Sequence, residues 1–148
     1  MAYVFHWEQH GLITASIDEP AAGNNLTWTN PENTPIRILF FTCRLVTDAV
    51  VDDRMLQLVG YTGGNQTSRT VAAATQPPGK TRDYYFSPCV LGIDGGDDHQ
   101  AIWAPLAHDF LLIPGDHIET VVGSLKIGDQ LSLAYVRYRQ ELPHWLTG

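Results

Sequence analysis

An all-β, antiparallel two-sheet sandwich of jelly-roll type is the fold predicted for this 148-residue chain, and three features predict it. Val, Ile and Thr are abundant while Lys occurs only at 80 and 126, a composition suited to pleated, half-buried strands. Turn residues recur at short intervals along the whole chain. No apolar stretch keeps a 3.6-residue period. The length is near that of one domain, and an apolar content of 44% can build one core without disulfides or metals. The predicted organisation is an extended N-terminal arm over residues 1–24 and a β-sandwich domain over residues 25–148.

The arm reading rests on the first 36 residues, which hold no basic side chain, and on Pro20-Ala21-Ala22-Gly23, which separates Tyr3, Phe5 and Trp7 from the first clear strand. Three aromatics at a terminus expose costly apolar surface unless they pack on their own sandwich or on a neighbour. An ordinary first strand of the core is the alternative. The longest strand is expected from Thr34 to Thr47, with Ile36, Ile38 and Phe40 on one face and Leu39, Phe41, Cys43 and Leu45 on the other. Such a strand is buried on both sides or bends from one sheet into another. Arg54 to Tyr61, a Gly63-Gly64-Asn65 turn, and Thr67 to Thr75 read as a meander. Gln76-Pro77-Pro78-Gly79 breaks the chain before the aromatic strand Asp83 to Phe86, and Gly92 to Asp98 reads as a loop. Phe110–Ile113, His117–Val122 and Leu131–Tyr138 supply the last strands, the final one with Leu131, Leu133 and Tyr135 on one side. Seven or eight strands result.

Nine Lys and Arg stand against sixteen Asp and Glu, a net charge of −7, the wrong sign for direct nucleic-acid binding. The opening Met1 to Glu8 lacks a basic n-region, so no export signal is expected, and no apolar run approaches the length of a membrane span. Cys43 and Cys89 fit no CxxC pattern; two reduced thiols or one disulfide both suit them. Ala74 to Thr81 imitates a phosphate loop, but the stiff Pro77-Pro78 and a following strand in place of a helix argue against one. GxSxG, HExxH and GxGxxG are absent. The loop around Asp94 to Asp98 offers oxygen ligands without EF-hand spacing, and the six histidines show no ligand spacing. No catalytic residue, cofactor or metal site is therefore expected. Trp7, Trp28, Trp103 and Trp145 could stack sugars, although aromatics equally serve cores and interfaces.

Asn30 to Leu39 running on to Thr47, Asp53-Arg54-Met55-Leu56 opening the next strand, Leu112-Ile113-Pro114-Gly115-Asp116, and the Ile127-Gly128-Asp129-Gln130-Leu131-Ser132 turn together resemble small jelly-roll virion proteins of tailed bacteriophages. The resemblance covers roughly residues 26–141. It implies a capsid cement or head decoration protein, assembled in the host cytoplasm onto the virion surface, with the major capsid protein and its own copies, as a homotrimer, for partners. Neither nucleic acid nor membrane is among them. Tyr3, Phe5, Trp7, Trp28, Leu142 and Trp145 are the expected protein contacts. A head–tail connector, a tail or fibre-base protein, and a carbohydrate-binding β-sandwich module remain alternatives.

Overall fold

A computed structural model of the chain describes residues 12–88, 93–94, 101–106 and 110–141. Among these lie eleven strands and no helix: β1 (Ile13–Ile17), β2 (Thr27–Thr29), β3 (Ile36–Val46), β4 (Met55–Thr62), β5 (Asn65–Val71), β6 (Thr81–Ser87), β7 (Ile93–Asp94), β8 (Ala101–Pro105), β9 (Leu111–Leu112), β10 (His117–Gly123) and β11 (Gln130–Gln140). The larger sheet runs β1-β11-β3-β6-β8-β7, with β9 also on β3, and the smaller runs β2-β10-β4-β5. The predicted two-sheet sandwich is the architecture. Pairing is nested: β3 and β4, consecutive in sequence but in different sheets, pair with β11 and β10, the wrap expected of a jelly roll. Strands β2, β7 and β9 are two or three residues long, too short to stand out in sequence.

One core fills the space between the sheets. Ile38, Phe41, Leu45, Tyr84, Phe86 and Val136 of the larger sheet meet Leu56, Leu58, Ile118 and Val122 of the smaller. Gly60 sits under Phe110, whose ring occupies the space a side chain would take.

The structure differs from the sequence expectation in four places. Of the arm expected over 1–24, residues 13–17 form strand β1, an edge strand pairing Ile13 with Tyr138 and Ile17 with Ala134; residues 1–11 lie outside the described residues. The sheets are not wholly antiparallel, because β6 and β8 run parallel. The connection 88–100 is long enough for this, since a parallel pair needs a crossover of about a dozen residues. The two apolar faces of β3 come from a register shift against β11 between Arg137 and Tyr138. Ile36 and Ile38 point inward before it, and Phe41, Cys43 and Leu45 after it. An inserted residue reverses the two-residue alternation. A second shift, between Ser132 and Tyr135, does the same to β11, so Leu131, Ala134, Val136 and Tyr138 are buried while Leu133 is 66% exposed.

One end of the sandwich is fixed by a buried charge cluster. Arg54 is fully buried, and all five of its N–H donors are used. Nε and Nη2 form a fork on Asp129 at 2.8 and 2.9 Å, Nη2 also donates to Asp48 at 2.6 Å, and Nη1 donates to the Val50 and Asp52 carbonyls. Asp129 further accepts the backbone N–H groups of Asp48 and Lys126 at 2.9 and 2.8 Å. Burial pushes the Asp129 carboxyl up, but Arg54 and the two N–H groups outweigh it and hold it below the usual carboxylate range. The loops 48–53 and 124–129 are thus fastened to each other and to the start of β4. The Gln76 to Lys80 loop is equally structural: Gln76 is buried, accepts the Tyr84 hydroxyl and donates to the Leu45 and Lys80 carbonyls. Strand β6 follows it, as the sequence predicts.

Candidate functional site

With the inward phase of each strand set by the core, the outward face of the larger sheet follows. Tyr135 on β11, Thr42 on β3, Tyr85 on β6 and Trp103 on β8 stand directly opposite one another. Phe40, one pleat along β3, lies between the flanking tyrosines, 5.8 Å from Tyr135 and 6.2 Å from Tyr85. Tyr85 and Trp103 stack at 4.6 Å with 23° between their planes. Thr42 is only 5% exposed although it faces outward, and its hydroxyl donates to the Tyr84 carbonyl at 2.8 Å. All four aromatics are half-buried, so a row four strands wide presents apolar ring surface to the outside.

Ring orientation decides what such a row can hold. Sugars and nucleobases stack on open ring faces. Here the near-parallel rings of Tyr85 and Trp103 each give one face to the other, and Phe40 lies tilted between Tyr85 and Tyr135 with the Arg137 guanidinium 5.9 Å from its centre. The result is an apolar strip of the kind that aromatic-rich protein contacts use.

Beyond Tyr135 the strip runs into a shallow groove of about 500 Å³ lined by Ser16, Ile17, Glu19, Leu133, Ala134 and Tyr135. Leu133 has φ of +46°, a left-handed conformation costly for a branched side chain, and this holds it out at the groove wall. Arg37, Arg44, Arg137 and Arg139 frame the same face. Asp83 pairs with Arg44 at 2.8 Å and Glu141 with Arg37 and Arg139.

Of the residues expected to make protein contacts, Trp28 turns inward. It packs against the core with its ring 5.4 Å from Tyr138, because β2 closes the sandwich over the end of β11. Tyr3, Phe5, Trp7, Leu142 and Trp145 lie outside the described residues, as do Cys89, residues 95–98 of the acidic loop, and every histidine except His117. His117 stacks on Tyr61 at 4.6 Å. Cys43 is a buried free thiol whose pKa is pushed up by burial and then by Asp83. Among the described residues no group of His, Cys, Asp and Glu converges to hold a metal. The Phe40–Tyr85–Tyr135 row was missed in sequence because the bulges in β3 and β11 hide which aromatics share a face. The tandem Tyr84-Tyr85 was the available signal, since on a strand one of the two must point outward.

No family model matches the sequence, and no curated protein does. Among solved structures the chain is similar to a protein from work on the disulfide-linked pili of Bacillus endospore appendages. That match has 11% identity and a TM-score of 0.38, covering 91% of this chain and 92% of that one. It is also similar to part of the agarase AgWH50C, at 10% identity and a TM-score of 0.39, covering 89% of this chain and 22% of that. A third likeness is to PfGH50B, at 8% and 0.37, with 92% and 23% covered. The chain spans less than a quarter of either of the last two. Likenesses this distant carry no functional argument.

Proposed function

We propose that the chain is a non-enzymatic structural protein that binds other protein surfaces through the outward aromatic face of its larger sheet. The Tyr135–Phe40–Tyr85–Trp103 row carries this reading: four half-buried rings in contact with one another at the centre of an arginine-framed strip. Aromatic and arginine side chains are those that anchor protein interfaces.

Following the resemblance to tailed-phage virion proteins, the partners are further copies of the chain, as a homotrimer, and the major capsid protein of the head. An oligomer clasping adjacent shell subunits turns modest single contacts into firm attachment through effective concentration. A net charge of −7 suits the outer surface of a particle packed with DNA.

The test is the mass of the purified protein by light scattering, with binding to empty heads of the phage that encodes it, for wild type, Tyr85→Ser and Trp103→Ser. The expected result is an oligomer that decorates heads, with both properties weakened in the two variants. A monomer without affinity for heads overturns the proposal. Binding of that monomer to immobilised glycans would reassign the chain to the carbohydrate-binding modules.

A further inference from the structure

The aromatic face has a counterpart on the same molecule. Four of the seven arginines lie on the outward side of the larger sheet, against Asp83 and Glu141, which Arg44 and the Arg37–Arg139 pair engage. In a chain of net charge −7 the described residues of this side carry a local positive excess, with Glu19 at the groove margin. Arg137 is exposed beside Phe40 and has no carboxylate partner among the described residues. The end of the sandwich formed by loops 48–53 and 124–129 is the reverse. Asp48, Asp52, Asp53 and Asp129 outnumber Arg54 and Lys126 there. Asp52 is tied to Lys126 at 3.2 Å, whereas Asp53 is exposed and without an ion-pair partner among the described residues. Beside these charges Val51 and Ile127 are each 87% exposed and Val50 is 51% exposed.

One surface is basic and aromatic with a groove, and the other is acidic and aliphatic with a protruding tip. The tip is rigid before any contact, because Arg54 and Asp129 lock its two loops together, so little ordering cost opposes docking. Two basic faces meeting each other would set arginine against arginine, which complementary interfaces avoid. We infer that the aromatic, arginine-framed face of one copy receives the acidic tip of a second copy, with Arg137 opposite Asp53 and with Leu133, Tyr135 and Phe40 covering Val51 and Ile127. This rests on the reading of that face as a protein contact and names its occupant. Such a contact is heterologous, and repeated it closes into a ring or runs on as a filament; a homotrimer is the closed case.

Charge exchange tests it. Arg137→Glu and Asp53→Arg change exposed side chains, and unchanged thermal melts would show that both variants keep the fold. Mass is measured by sedimentation over a concentration series for wild type, each variant, and their equimolar mixture, at low and high salt. Wild type is expected to self-associate more weakly as salt rises, each variant alone to associate about tenfold or more weakly, and the mixture to recover, since it restores opposite charges across the contact. If wild type assembles but the mixture does not recover, this inference fails while the docking role of the face stands. Arg137→Glu assembling more tightly than wild type, with Asp53→Arg unchanged, would show face-to-face pairing and overturn it equally. A wild type that stays monomeric throughout removes both this inference and the self-assembly it builds on.

Discussion

Arg54 and Asp129, 75 residues apart in sequence, meet in a two-pronged hydrogen bond at 2.8 and 2.9 Å with neither side chain exposed to solvent. They come from the two turn motifs on which the virion-protein resemblance partly rests, so the structure joins two pieces of sequence that look unrelated on the page.

Removing one member of this pair strands a buried charge. Asp129→Asn or Arg54→Met is expected to cost about 3–5 kcal/mol in urea unfolding. The double variant Arg54→Met/Asp129→Leu does not return to wild-type stability, because the Asp48 and Lys126 N–H groups have then lost their acceptor.

Acid sensitivity follows from the same carboxylate. Asp129 is held below its ordinary value, so its contribution is present above the unfolded carboxylate pKa of about 3.9 and is lost as pH falls through the lower folded value. Glu141 adds in the same direction: burial raises its pKa, and Arg37 with Arg139 overcomes that effect. Denaturation midpoints measured from pH 6 to pH 2 should therefore be flat at first and drop below about pH 4. Asp129→Asn should flatten that drop.

At Leu133 stability and assembly are expected to pull in opposite directions. Leu133→Gly relieves the left-handed backbone while losing little burial, and should raise the unfolding free energy by up to about 1 kcal/mol. The same change removes an apolar wall of the groove and should weaken self-association in the sedimentation experiment. Backbone strain kept at a contact site is a common arrangement.

Gly60→Ala should destabilise by about 1–3 kcal/mol, because a methyl group there comes within 2.7 Å of the buried Phe110 ring. Phe110→Leu in the Gly60→Ala background should recover part of that loss by calorimetry. An additive effect of the two changes would show that the ring does not set the constraint.

Strand content and two-layer organisation were legible in the sequence because alternation and turn chemistry are local. Side-chain facing in β3 and β11 was not, since a bulge reverses the alternation without leaving a distinctive residue: Leu39 and Leu133 read as ordinary strand positions. The surroundings of Trp28 are hidden for a different reason, as nothing nearby in sequence shows that Tyr138 will lie against it. The face itself is assembled from β3, β6, β8 and β11. Its aromatics become neighbours only through pairings that span most of the domain.

Those pairings also fix a timetable for synthesis. Strand β3 is made early, yet the strand that pairs with Phe41 through Val136 and with Leu45 through Leu131 emerges some ninety residues later. Until then one edge of this apolar strand lacks its partner, and among the described strands β6 and β9 can cover the other. Folding must wait for distant contacts, the condition under which β proteins fold slowly and aggregate most readily. Synthesis of β11, rather than of any local hairpin, is then what supplies the missing edge of β3.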